Sequence, residues 1–327
     1  MNRARMVLLG FCAIWLQAAH GAAQAQDYPV RPVKIIVPTP PGGPVDVMGR
    51  IAANYLQGAL GQPFFVENRA GAGNTIGSKD AAEATPDGYT LLYSAASGLI
   101  IAPLLHPDAG YDPLKSFDPV ILVAATSNIL VVNPKLPVKT VAELVAYAKA
   151  NPGKINFSSG GIGVLPHLIG EMFKAKAAID IVHVPYKGGG PSIADLVAGN
   201  VQMTFEAASV LLQLIQSGQL RALAVTAPKR IPQLPDVPTM TESGYSDSAI
   251  TAWTGLLAPA HTPPPIVAKL NAAINDGLRK PELLDALTRV NFQPIGGTPA
   301  DFTAMMTAEL ARWSPIITSL GLDHPAQ

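Results

Sequence analysis

The residues best placed to do chemistry in this chain offer binding by the backbone rather than reaction by side chains. Pro38-Thr39-Pro40-Pro41-Gly42-Gly43-Pro44-Val45-Asp46 follows the apolar run 34–37. A strand therefore leads into a Pro/Gly loop, and the loop opens a helix at Pro44 with Asp46 in its first turn. A helix N-terminus leaves backbone N–H groups without intrahelical acceptors. At the carboxyl end of a parallel strand such groups hold an anion with no cationic side chain. Four more glycine- and hydroxyl-bearing loops follow predicted strands: 70–77 (Ala-Gly-Ala-Gly-Asn-Thr-Ile-Gly), 94–98 (Ser-Ala-Ala-Ser-Gly), 158–163 (Ser-Ser-Gly-Gly-Ile-Gly) and 184–190 (Val-Pro-Tyr-Lys-Gly-Gly-Gly). If the sheets are parallel, all five loops sit at strand carboxyl ends and face one another across a cleft.

The candidate ligand contacts on these loops are Thr39, Gly42, Gly43, Asp46, Thr75, Ser94, Ser97, Ser159, Gly160, Gly163, His167 and Tyr186. A carboxylate facing an anion is repulsive, so Asp46 is expected to cap and order its loop. His167 has two readings, a bond to a local backbone group or donation to a ligand at its helix start. Lys187 reads as a solvated charge, Tyr186 as the cleft residue, and Trp253 and Trp313 as core.

Reactive constellations are missing. Gly161, Gly163 and position 166 have dinucleotide-fingerprint spacing, but Pro166 stands where the third glycine is needed, and Asp180 opens its strand rather than ending it. No phosphate-loop Gly-Lys-Ser/Thr, Gly-x-Ser-x-Gly or His-Glu-x-x-His motif occurs. His106, His167, His183, His261 and His324 are scattered; His167 and Glu171 share a helix face, but two ligands do not make a metal site. The expectation is a binding protein without cofactor or metal.

The elements that must position these loops alternate. Strand-length apolar runs fall at 34–37, 64–67, 89–93 and 120–123, then at 129–132, 155–157, 181–184, 201–205 and 220–225. Helical spacing joins Met48, Ile51, Ala52, Tyr55 and Ala59 before Gly61. Thr140 with Glu143 predicts a capping box, and helices are expected over about 166–176 and 191–198. The last third reads as helical: 264–278, 281–290, and a helix capped by Thr298 with Pro299 first and Asp301 third. Such alternation predicts an α/β fold of two lobes, each a mostly parallel sheet flanked by helices. The break near 124–128 and a return crossing near 226–232 give lobe 1 as 26–125 plus 228–327 and lobe 2 as 126–227.

Bulk properties fit. The 327 residues are 48% hydrophobic and 14% charged, with zero formal net charge, which leaves no basic face for nucleic acid. Residues 1–25 read as a signal peptide: Arg3 and Arg5, an apolar run 6–19, and Ala23-Gln24-Ala25. Cys12, the only cysteine, lies within it after Phe11, which is too large for a lipoprotein signal. Cleavage leaves 21 cationic and 23 anionic side chains, a net charge of −2, and a cysteine-free chain suited to the periplasm.

Longer motifs carry a resemblance. Val37-Pro38-x-Pro40-x-Gly42-Gly43-x-x-Asp46, Glu67-Asn68-Arg69-x-Gly71-Ala72-Gly73, Pro86-Asp87-Gly88-Tyr89-Thr90-Leu91-Leu92, His183-Val184-Pro185-Tyr186-Lys187-Gly188 and Leu234-Pro235-Asp236-Val237-Pro238-Thr239 resemble the Bug family. These are periplasmic substrate-binding proteins of tripartite tricarboxylate transporters. The resemblance implies a monomeric two-lobe "Venus flytrap" closing on a small organic acid (mono- or dicarboxylate, aromatic ones included) and passing it to membrane permease subunits. A ligand sensor presenting its closed form to a receptor kinase is the alternative. Against the family pattern, Thr39 replaces a commonly aromatic residue and Pro41 a small one. Ser127 and Asn128 stand where proline is frequent, and Ser127 joins the candidate contacts. Glu206 stands where Asp is common. Facing the cleft it would favour a ligand bearing a donor; capping the next helix it would say nothing of substrate.

Overall fold

Local sequence signals set most elements of the computed structural model, which describes residues 28–248 and 250–323. The expected leader 1–25, with Cys12, lies outside the described residues. The first half of the chain runs β1 (Val33–Val37), α1 (Pro44–Leu60), β2 (Phe64–Asn68), α2 (Thr75–Ala82) and β3 (Thr90–Ala95). A π turn over Ser97–Ile101 then leads into the one-turn helix α3 (Ala102–Leu105) and β4 (Phe117–Val132). Next come α4 (Val141–Ala150), β5 (Ile155–Ser159), α5 (Leu165–Ala177), β6 (Ile181–Pro185), α6 (Gly189–Ala198), β7 (Met203–Ala207), α7 (Ala208–Gln216) and β8 (Arg221–Val225). The chain closes with β9 (Thr251–Pro259), α8 (Pro264–Gly277), α9 (Pro281–Arg289), β10 (Gln293–Pro294) and α10 (Pro299–Ser319).

The strands form two sets sharing β4, each covered by helices. In one, β2, β1 and β3 are parallel, and β9 joins β3 and β4 antiparallel. In the other, β6, β5 and β7 are parallel, while β7 and β8 run antiparallel to β4. The α/β two-lobe fold is as expected, with mixed sheets: β9 runs against β3 and β4 in one, and β4 runs against β7 and β8 in the other. We call the β1–β3 side lobe 1 and the β5–β8 side lobe 2.

Three readings of the sequence change. The runs 120–123 and 129–132 belong to one 16-residue strand; the stretch between them stays extended because it changes partners instead of turning. Its pairing with β9 ends at Ser127, and its pairing with β7 begins at Asn128. Within the supposedly helical last third, β9 is a central strand. It shows no two-residue alternation, because it is buried over Trp253–Pro259 on both faces. The Thr140 box is half formed: the Thr140 hydroxyl accepts from Glu143 N–H, but the Glu143 carboxylate accepts from Lys139 N–H instead of the cap residue's own. The Thr298–Asp301 box is complete.

The cores follow the sheets. Ile35, Val37, Met48, Leu56, Leu91, Tyr93 and Leu256 pack under α1 and α8. Phe157, Phe173 and Phe205 fill lobe 2. Between the lobes the backbone crossings are tied by one hydroxyl: Thr226 Oγ1 donates to Ile250 O (2.6 Å) and accepts from Asn128 N–H (2.9 Å).

Candidate functional site

A cavity of about 500 Å³ lies where the two sets of strand ends meet. Each of the five sequence-predicted loops reaches its wall, through Thr39 and 42–45, Asn74, 95–97, Gly160 and 188–190. The N-termini of α1, α2, α5, α6 and α7 converge on it, since their cap residues Gly43, Asn74, Val164, Gly188 and Ala207 all line it. Aligned helix N-termini concentrate partial positive charge and unpaired N–H groups. Its described lining contains no Lys, Arg or His; Glu206 is the ionisable side chain.

The β1 loop is shaped from behind. Gly42 sits at φ +85°, a left-handed conformation that glycine adopts freely, and donates its N–H to Asp46 Oδ2 (2.9 Å). Arg50 Nε donates to the same oxygen (3.1 Å), and Asn68 Nδ2 donates to Asp46 Oδ1 (2.8 Å) and to Thr39 O (3.0 Å). Burial alone pushes the Asp46 carboxyl up, but bonds from Arg50, Gly42 and Asn68 outweigh it and hold it below the usual carboxylate range. Asp46 orders the loop and does not line the cavity, as its charge requires.

The lobe 2 wall is built by backbone contact. Gly188 N–H donates to Gly160 O (3.0 Å), and Tyr186 N–H to Ser159 O (3.0 Å). A Cβ at Gly160 would stand 3.1 Å from Gly189 N and 3.2 Å from Gly188 C. Behind these loops, Ser159 Oγ donates to Gly161 O (2.7 Å) and lies 2.7 Å from His183 Nε2. His183 stacks on His167 at 3.9 Å between ring centres. His167 Nδ1 accepts from Gly163 N–H (3.1 Å), the local-backbone reading of this residue. Burial lowers His167 to about 4; His183 is lowered to about 4 by burial, then by the charges of His167 and Lys174. Both rings are therefore neutral at pH 7.

Of the sequence-predicted contacts, the structure brings Thr39, Gly42, Gly43, Ser97, Gly160 and Glu206 together on the wall. Thr75 turns its hydroxyl to Ala72 O (2.8 Å), and the preceding residue, Asn74, lines instead. Ser94 and Ser159 are fully buried behind their loops. Gly163 packs against Leu105 of α3 and is not among the lining residues. Tyr186 donates to Asp195 Oδ2 (2.6 Å), and that bond, followed by burial and the Asp195 charge, pushes it up to about 12. Ser127 is replaced by Thr126 and Asn128, because alternate residues of β4 point to opposite faces. Trp253 packs edge-on against Phe302, as core, and also contributes to the wall.

Among the described residues, buried side-chain atoms without a partner concentrate here. Thr39 Oγ1, Thr126 Oγ1, Asn128 Nδ2 and Trp253 Nε1, four of six such atoms, belong to lining residues, so the wall holds unspent hydrogen-bonding capacity. No group of three or more His, Cys, Asp or Glu among the described residues could hold a metal.

A two-lobed α/β scaffold with helix N-termini around an interlobe cavity defines a solute-binding protein. Comparison with known proteins gives the family: residues 48–322 match the tripartite tricarboxylate transporter family receptor, and the chain belongs to that family. It is similar to Protein BugT of Bordetella pertussis, with 39% identity covering 98% of this chain and 99% of that one. The structure of an R. palustris protein with adipate is 34% identical, covers 90% of this chain and 99% of that chain, and has a TM-score of 0.82. MatC from Rhodopseudomonas palustris with bound malate is 32% identical over 89% of this chain and all of that one, TM-score 0.79. The chain is a periplasmic solute-binding protein of this family, whose members are receptors and not enzymes.

Proposed function

We propose that this protein captures a small organic carboxylate in the interlobe cavity and delivers it to the membrane permease of a tripartite tricarboxylate-type transporter. The observation that carries the reading is the convergence of five helix N-termini on a cavity whose described lining supplies hydroxyls and amides among apolar side chains such as Val45, Leu165, Ile193 and Phe292, but no cation. Desolvating a carboxylate is expensive unless each lone pair meets a donor, and such a wall supplies donors without a salt bridge. Thr39, Gly42, Gly43, Ser97 and Gly160 are the contacts in this reading, joined by Asn74, Thr126 and Asn128. The adipate and malate bound by two relatives support the ligand class.

Closure is a hinge at the crossings through Ser127–Asn128, Thr226 and Ile250, where strand partners change and one hydroxyl ties the strands. A thermal-shift series with mono- and dicarboxylates, aromatic acids included, tests binding. Ligand at about 100 times its dissociation constant adds roughly 2.7 kcal/mol. Indifference to every acid overturns the proposal. Delivery is tested by uptake of the bound acid in cells lacking this protein; unchanged uptake overturns that half.

A further inference from the structure

We infer that the ligand carries, besides its carboxylate, a hydrogen-bond donor (a hydroxyl or an ammonium group) that Glu206 accepts at Oε2. The inference rests on the carboxylate-binding reading and names the chemistry of the ligand's other end.

Glu206 lies near the end of β7, in register with Ile129, while its neighbour Ala207 pairs with Asn128 of the cavity wall. Its carboxylate does two jobs at once. Oε1 accepts the N–H of Ala207, the cap residue of α7, at 2.9 Å. Oε2 points toward the α6 N-terminus, 3.4 Å from where a Cβ of Gly189 would stand, and has no hydrogen-bond partner among the described residues. The chain's own carboxylate thus already occupies the anion-favouring end of α7 on the lobe 2 wall. Lobe 1 differs: Asp46, the acid in the first turn of α1, is turned behind its loop, and Gly43, Pro44 and Val45 face the cavity with no carboxylate in front of them.

A ligand carboxylate is therefore matched on the lobe 1 side and opposed beside Glu206. No Lys, Arg or His in the described lining offsets the Glu206 charge. Burial pushes the Glu206 carboxyl above its ordinary range, against the Ala207 bond that favours the ionised form. A donor arriving at Oε2 offsets the lost hydration of that oxygen, whereas a second carboxylate requires Glu206 to be protonated or displaced from its bond to Ala207.

Calorimetric titration of the protein at pH 7.5 tests this with three scaffolds, each in four forms. These are butanoate, 4-hydroxybutanoate, 4-aminobutanoate and succinate; hexanoate, 6-hydroxyhexanoate, 6-aminohexanoate and adipate; benzoate, 4-hydroxybenzoate, 4-(aminomethyl)benzoate and terephthalate. On whichever scaffold binds most tightly, the hydroxy or amino acid is expected to exceed both the plain acid and the diacid by at least 10-fold. Glu206→Gln and Glu206→Leu, with folding checked by circular dichroism, are each expected to collapse the preference over the diacid. A diacid that binds as tightly as the donor-bearing acid overturns this inference alone, as does a preference surviving both substitutions. Failure of every acid to bind overturns the carboxylate reading, and this inference with it.

Discussion

On the lobe 1 side, the cavity wall is a glycine loop laced from behind by the Asp46–Arg50 ion pair and the Asn68 amide. On the lobe 2 side, it is two backbone loops in direct contact, backed by a hydroxyl and two neutral histidines. Both walls present backbone N–H groups at strand carboxyl ends, but lobe 1 is stiffened by side-chain electrostatics and lobe 2 by close approach of main chain. The difference teaches where each wall is vulnerable: lobe 1 to loss of a carboxylate, lobe 2 to added volume and to protons.

The largest effect is expected from Asp46→Ala. It strips an acceptor from Gly42, Arg50 and Asn68 together, at a cost of about 2–3 kcal/mol, and carboxylate affinity should fall at least 10-fold. Chemical denaturation and calorimetry check this; unaltered affinity would show that the loop holds its shape without the clamp. Gly160→Ala comes next, since its methyl meets the backbone of Gly188 and Gly189, and overpacking costs about 1–3 kcal/mol. Gly43→Ala is the lobe 1 control, with Pro40 O at 3.8 Å its nearest neighbour, and should leave the melting temperature nearly unmoved. Equal losses in the two variants would break the contrast between the walls.

Acid should separate the walls as well. His167 is lowered to about 4 in the fold, so below its ordinary 6.5 the unfolded chain binds the extra proton. Stability then falls as pH drops from 6.5 toward 4, by about 1.4 kcal/mol per pH unit for this ring. Asp46, held below its ordinary value, contributes stability present above that value and lost only as pH falls through its lower folded one. Amide protection factors (exchange rates corrected for their intrinsic slowing in acid) at 159–163 should therefore fall on acidification before those at 39–46, and the reverse order would refute the assignment. The smallest effect belongs to Ser127→Ala, expected to change carboxylate affinity less than twofold while Asn128→Ala weakens it clearly; parity between them would mean that β4 presents its other face.

Much of this was legible because it is local. Pro44 after Gly42-Gly43, Thr298 with Asp301, and short apolar runs broken by glycine loops fix element type and put the five loops at strand ends. Where reading failed, the deciding information was distant. Extended residues that exchange one partner for another resemble a break, so β4 read as two strands. Strand β9 shows no alternation because other elements bury both its faces, a property of its neighbours.

By itself, then, the sequence determined the α/β alternation, the anion-friendly loops and the family motifs, all set by neighbours within a few positions. Tertiary structure alone decided which side chain of each loop faces the cavity. Asn74 took the place of Thr75, whose hydroxyl bonds back to Ala72 O, and Thr126 and Asn128 took that of Ser127, because the phase of β4 is fixed only by pairing across the sheet. It also turned Tyr186 onto Asp195, hid His167 behind Gly163 and left Glu206 with one oxygen on Ala207 and the other without a hydrogen-bond partner among the described residues. Those outcomes rest on contacts between residues that only the fold brings together, so no spacing along the chain encodes them.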